Sequence, residues 1–338
     1  MEVLSCSGPD LEKAAAALAA GLLVAFPTET VYGLGGDAFN QSALARIFEA
    51  KERPRFDPLI IHIAELEALA RIANTAALTA SAGEKLNRLA EQLWPGPLTI
   101  VLPKREELPE LATAGLSTVA VRFPSHPVAQ KLIRLSTGAV AAPSANPFGR
   151  LSPTRASHVK TQLGEKVDFI IEGGRTALGI ESTVLDLSCE KPAILRPGGT
   201  PKEAIEKIIG RVELSVTPKA LAGQGEGESL TGAPKSPGQL KSHYAPCTAL
   251  FIHKPGELAS MPIAPGEGRL YFSGDEAGPE TRVLSKTGDL TEAAANFFDM
   301  LHELDTLGLK LIRAEESPGR GLGEAINDRL RRASFICD

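Results

Sequence analysis

The sequence predicts an α/β protein with a mixed sheet and flanking helices, followed by a second, smaller α/β domain. Three observations carry this expectation. Short apolar runs alternate with longer segments of helical periodicity as far as about residue 210. Several strand-like runs follow one another without a helix between them, which argues for a mixed rather than a purely parallel sheet. A small, polar stretch, Gly223 to Ser229, then interrupts the pattern before it resumes on a smaller scale. The expected divisions are a first domain over residues 1–212, a linker over 213–246 that folds back over the first domain, and a second domain over 247–338.

The elements follow from local chemistry. The apolar run Ala14 to Phe26 is broken at Gly21, so it reads as a helix over Leu11–Ala20 and a strand over Leu22–Phe26. It is too short for a membrane span, and Glu2, Asp10 and Glu12 precede it where a signal peptide would be basic. Leu44, Ile47 and Phe48 share one face of a helix over Ala43–Lys51, which Pro54 ends. Further helices are expected over Leu66–Ala73, Ser81–Leu93, Pro127–Thr137 and Lys202–Ile209. Strands are expected over Leu59–His62, Leu98–Leu102, Val119–Phe123, Ala139–Ala142, Phe169–Glu172, Thr183–Leu187 and Ala193–Arg196. In the second domain, Ala249–Ile252, Arg269–Phe272 and Lys310–Ala314 read as strands, and Thr291–Leu307 and Gly323–Ala333 as helices.

Bulk properties narrow the function. A formal net charge of −5 does not suggest a large nucleic-acid footprint. Cys6, Cys189, Cys247 and Cys337 are scattered with no Cys-x-x-Cys pair, which excludes a zinc ribbon and fits a reducing cytosol. The expectation is a cytoplasmic protein with no membrane partner.

Several segments place chemistry at strand ends, where α/β sheets usually bind ligands. Lys51-Glu52-Arg53-Pro54 aims two cations at one turn, which suits either a solvated helix end or a phosphate cradle. Taken alone, this segment favours the helix end. Thr28 to Gly36 is glycine-rich but is neither a G-x-G-x-x-G fingerprint nor a Walker loop, and by itself reads as a turn. Arg122 sits inside an apolar strand and needs an anion, supplied either by a structural carboxylate or by a ligand. Ser144, Asn146 and Ser152 offer hydroxyls and an amide, but no G-x-S-x-G elbow makes Ser144 an acyl nucleophile. With Arg196 ending another strand, Lys51, Arg53, Arg122 and Arg196 fit a phosphate-bearing ligand beside a second small anion. The Ser236–Pro246 segment packs Lys241, His243 and Tyr244 too closely for a plain linker.

In this setting the chain resembles the YrdC family in its longer, two-domain form. The resemblance rests on Pro27-Thr28-Glu29-Thr30-Val31-Tyr32-Gly33-Leu34, Lys51-Glu52-Arg53-Pro54, Pro58 to His62 and Trp94 to Thr99. It continues through Val121-Arg122, Pro143-Ser144-Ala145-Asn146, Glu181-Ser182-Thr183, Arg196-Pro197-Gly198, and Ser236-Pro237-Gly238 with His243-Tyr244-Ala245-Pro246. It implies a twisted mixed sheet, a Rossmann-like second domain, and L-threonylcarbamoyladenylate synthase activity. Such enzymes join L-threonine, bicarbonate or CO2 and ATP, with Mg²⁺, and release pyrophosphate. The product feeds the tRNA threonylcarbamoyl transferase machinery that modifies the adenosine beside the anticodon; a weak RNA contact is a further expectation.

By that resemblance Lys51 and Arg53 are the catalytic cations on the phosphates. Arg122 takes the threonine carboxylate, with Thr30, His62, Ala142 and Ser182 completing the amino-acid pocket. Arg53, Asp57, Thr118, Ser144, Asn146, Ser152, Arg196 and Tyr244 hold ATP, Tyr244 by covering the site from the linker. No protein side chain is assigned to a metal. Asp57 departs from the family, which often carries Asn there; a carboxylate beside a triphosphate needs Mg²⁺, an arginine or the ribose to offset it. Two other readings compete. A carbamoyl-phosphate-using maturation factor would carry zinc-finger cysteine pairs, which are absent. A double-stranded RNA module is disfavoured by the net charge and by the buried character of Arg122 and Ser182.

Overall fold

A computed structural model describes residues 1–215 and 243–334. The Gly223–Ser229 stretch, the Ser236-Pro237-Gly238 motif, Lys241 and Cys337 lie outside the described residues.

Among the described residues, the first domain is built on one eleven-stranded sheet. Its order is Glu2–Leu4, Phe169–Ile171, Val24–Phe26, Gly33–Asp37, Ala139–Ala141, Ile60–Ile63, Thr118–Arg122, Leu98–Pro103, Thr183–Asp186, Ala193–Arg196 and Glu213–Leu214. The sheet is mixed, as the sequence implies. Ile60–Ile63 runs parallel to Thr118–Arg122, which runs antiparallel to Leu98–Pro103.

Side-chain alternation along these strands separates two faces. Ile61, Val121, Ile100 and Leu185 point into the larger core with Leu44 and Ile47 of helix Gln41–Lys51. Ile60, Ala120, Val101, Val184 and Leu195 form a small apolar patch on the opposite face. A period of two puts His62, Arg122 and Thr99 on that same face, next to the patch.

Helix Gln41–Lys51 ends as its sequence requires. The Asn40 side chain accepts from the Ser42 and Ala43 amides at 3.0 and 3.2 Å. Glu52 then turns left-handed at φ 53°, so the Arg53 amide donates back to the Phe48 carbonyl at 2.9 Å. Lys51 and Arg53 therefore both turn inward and are buried.

Some elements differ from expectation. Gly33–Asp37 is a central strand rather than a turn, paired with Val24–Phe26 on one side and Ala139–Ala141 on the other. Its glycines allow close packing: a Cβ on Gly35 would lie 2.7 Å from the Phe26 ring and 3.1 Å from the Val24 carbonyl. Leu66–Ala73 is not one helix but a 3₁₀ turn followed by the single turn Leu69–Ile72. Short Glu2–Leu4, Glu110–Thr113, Ala156–Leu163 and Glu213–Leu214 have too few periodic residues to announce themselves.

Among the described residues, the second domain carries four parallel strands in the order Ala249–His253, Leu311–Glu315, Glu267–Ser273 and Thr281–Ser285, with helices Leu290–Asp305 and Leu322–Ala333. Its apolar core also takes in Val31, Leu151, Ile180 and Tyr244, so the two domains pack through shared hydrophobic surface. Asp299 adds a polar latch, accepting from Arg155 at 2.7 and 2.9 Å. No helix among the described residues is long and apolar enough to cross a membrane.

Candidate active site

A cleft opens over the polar end of the face that carries the small apolar patch and is closed on one side by His243 and Tyr244. Its floor is set by strand register: His62 and Thr99 are both partners of Arg122 on the neighbouring strands. The Arg122 guanidinium is buried and donates to Glu29 Oε1 at 2.6 Å. That pairing is half complete, because Arg122 Nε and Glu29 Oε2 are both buried without a hydrogen-bond partner among the described residues. His62 Nδ1 lies 3.3 Å from the Ile60 carbonyl. Burial, with the nearby Arg122 charge, pushes its pKa down to about 3, so the ring is neutral. Thr28 and Thr30 share a hydrogen bond of 2.8 Å, as do Thr99 and Ser182.

The other end of the cleft is more cationic. Arg196 donates to the Ser182 carbonyl from Nε and Nη2 at 3.2 and 2.9 Å. Arg53 donates to the Asp57 and Pro58 carbonyls at 3.1 and 2.8 Å. Its Nη2 also lies 2.9 Å from Asp57 Oδ2, although that approach lacks hydrogen-bond geometry. Asp57 therefore meets an arginine, one of the three partners that make a carboxylate tolerable here. Burial still outweighs the attraction, raising the Asp57 pKa and lowering that of Arg53. Lys51 donates to the Ser144 carbonyl at 2.6 Å and to the Asn146 carbonyl. Burial, then the charge on Arg53, depresses its pKa well below the usual lysine value.

Most of the residues singled out from sequence converge. Thr30, Arg53, His62, Arg122, Ala142, Ser144, Ser182, Arg196 and Tyr244 all line this one cleft. Lys51 and Asn146 stand one contact behind Ser144, and Asp57 stands behind Arg53. Ser152 reaches the lining through its hydrogen bond to Glu181. Thr118 is the outlier. It starts the Arg122 strand, half-buried and about 13 Å along it, at the far end of the apolar patch. Tyr244 is buried at φ 65°, with its hydroxyl lacking a partner among the described residues.

Sequence reasoning assigned no individual role to three contributors. Glu29 lay inside a quoted motif without a role, and supplies the structural carboxylate that Arg122 needs. Glu181 is an acidic residue in the lining and accepts from Ser152 and Arg329. His243 closes the cleft beside Tyr244, and burial, then the nearby cations, depresses its pKa strongly. Among the described residues no cluster of three His, Cys, Asp or Glu side chains could hold a metal ion.

Comparison with known proteins agrees with this fold. The Sua5/YciO/YrdC family, described as telomere recombination, matches residues 16–198, and the threonylcarbamoyl-AMP synthase C-terminal domain matches residues 200–334. The chain is similar to a threonylcarbamoyl-AMP synthase of Pyrococcus abyssi, at 44% identity over 93% of this chain and 91% of that protein. It is also similar to one of Bacillus subtilis, at 40% identity over 98% of this chain and 94% of that protein. The crystal structure of P. abyssi Sua5 complexed with L-threonine superposes with a TM-score of 0.85 at 39% identity, covering 99% of this chain and 98% of that one. The chain therefore belongs to the threonylcarbamoyl-AMP synthase family, in its two-domain form.

Proposed function

We infer that this protein is an L-threonylcarbamoyladenylate synthase, joining L-threonine, bicarbonate or CO2 and ATP into threonylcarbamoyl-AMP and pyrophosphate. One observation carries the reading: a single cleft lined by buried arginines at two ends. Arg122 and Arg196 stand on strands three places apart in the sheet, about 14 Å at strand spacing. That separation suits an amino acid and a nucleotide side by side.

At the first end, Arg122 has an unused Nε for the threonine carboxylate, which would share the guanidinium with Glu29. Thr30, His62, Ala142 and Ser182 surround the rest of the amino acid. A neutral His62 places no positive charge beside the amine, which must lose its proton before attacking CO2. A carbamate forms as the new N–C bond closes. One carbamate oxygen then attacks the α-phosphorus, the bond to the β-phosphate bridging oxygen breaks, and pyrophosphate leaves. Positioning and charge neutralisation dominate such a step. Arg53 and Arg196 supply fixed charge for the phosphates. Lys51 acts from behind, holding the Ser144–Asn146 turn against the cleft through two of its three N–H donors. Asp57 keeps Arg53 oriented. Ser144, Asn146 and Ser152 serve the nucleoside end, and Tyr244 shields the intermediate from water.

Mg²⁺ would neutralise phosphate charge and would arrive with ATP, because the nearby carboxylates Asp57 and Glu181 already face Arg53 and Arg329. The product would pass to the cytoplasmic machinery that modifies the tRNA adenosine beside the anticodon. The test is direct. Incubation with ATP, L-threonine and carbon-labelled bicarbonate should yield a labelled adenylate, resolved by mass spectrometry. A label found only in free carbonate would overturn the assignment.

A further inference from the structure

The second domain reaches the lining of the cleft through Arg329. Arg329, on helix Leu322–Ala333, is fully buried. Its Nε donates to Glu181 Oε2 at 3.0 Å, and its Nη1 donates to the Pro197 carbonyl at 2.6 Å. Its guanidinium carbon lies 5.2 Å from the centre of the Tyr244 ring. Each of these partners belongs to the nucleotide end. Glu181 and Tyr244 line the cleft, and Pro197 follows the lining residue Arg196. The same helix also holds the linker, since the Arg332 carbonyl accepts the His243 amide at 3.2 Å.

An arginine is suited to this position because its planar fork reaches a carboxylate and a carbonyl while its face lies against an aromatic ring. Arg329 also donates to the neighbouring Asp328 at 2.9 Å, but a plain docking contact would not need three further partners that belong to one ligand site. The Arg155–Asp299 ion pair shows what such a contact looks like: it joins the domains with Arg155 nearly half exposed, and neither residue lines the cleft.

We propose that Arg329 is a positioning residue for the reaction, through which the second domain fixes Glu181, the Arg196–Pro197 turn and Tyr244 around the nucleotide. The second domain is then part of the synthase site rather than an appendage. This rests on the synthase reading above, so the experiment begins with full-length wild type. If wild type gives no threonine-dependent pyrophosphate, that reading fails first. With wild type active, Arg329→Ala should raise the KM for ATP at least tenfold while the KM for L-threonine stays within twofold. Arg329→Lys keeps a charge against Glu181 but loses the fork, and should raise the ATP KM three- to tenfold. It carries the test if the alanine variant does not fold. Arg155→Ala cuts the docking pair only and should leave both constants within twofold. An unchanged ATP KM in Arg329→Lys, a parallel rise in both constants, or an equal effect from Arg155→Ala would overturn the proposal.

Discussion

Replacing Arg122 with alanine separates the two ends of the cleft. The guanidinium makes two kinds of contact, one present in the structure and one expected from substrate. The first is the buried 2.6 Å pair with Glu29. Removing one partner of a buried pair costs about 3–5 kcal/mol, and the Glu29 side chain, 12% exposed, argues for the lower figure. Folded domains are stable by about 5–15 kcal/mol, so the variant should remain folded at 25 °C with a lowered melting temperature. The second contact is a charge-assisted hydrogen bond to the threonine carboxylate, worth about 1.5–3 kcal/mol. At about 1.4 kcal/mol per factor of ten, the KM for threonine should rise about 10- to 150-fold. Steady-state pyrophosphate release, with threonine and ATP varied separately, reads both constants. The ATP constant should move less than twofold. A larger change in the ATP constant than in the threonine constant would refute the assignment of Arg122 to the amino-acid end.

Further outcomes follow from the same geometry. Asp57→Asn should leave the ATP KM within threefold, because the carboxylate faces Arg53 rather than the cleft; a loss beyond tenfold would mean that Asp57 meets the nucleotide or its metal directly. Burial raises the Asp57 pKa, so its share of stability is present below the unfolded value near 4 and lost as pH rises through the folded pKa. The Asn variant should therefore be at least as stable as wild type at pH 7.5 in urea titration, and a clear destabilisation would contradict this. His62 carries the opposite sign: with its pKa lowered to about 3, its contribution is present above about 6.5 and fades as pH falls toward 3. His62→Gln should flatten part of the acid-side loss of stability between those limits; an unchanged slope would show that His62 is not held neutral. Excess EDTA should suppress pyrophosphate release and added Mg²⁺ should restore it, whereas full turnover in EDTA would remove the metal from the account.

Much of this was legible in the sequence, for identifiable reasons. Helix Gln41–Lys51 carried its own apolar face and proline stop, so its end could be anticipated; the Asn40 cap and the inward turn of Lys51 and Arg53 could not, because two cations at a helix end suit solvent equally well. Arg122 was legible because a charge within an apolar strand demands a partner. Its partner was not, since Glu29 lies 93 residues away, in the loop between strands Val24–Phe26 and Gly33–Asp37, and only the tertiary fold brings that loop to the Arg122 strand. The strand Gly33–Asp37 was hidden because glycine lacks the side-chain alternation by which strands are read. Arg329 was hidden for a similar reason: among the charged residues of helix Leu322–Ala333, nothing local marks the one that turns inward to Glu181.

The central claim is that one cleft holds an amino acid beside a nucleotide and couples them through CO2. Pyrophosphate release with L-threonine, bicarbonate and ATP omitted in turn measures that coupling most directly. Release should occur only with all three present. Equal release without threonine would contradict the account, because ATP cleavage would then be independent of the Arg122 end of the site.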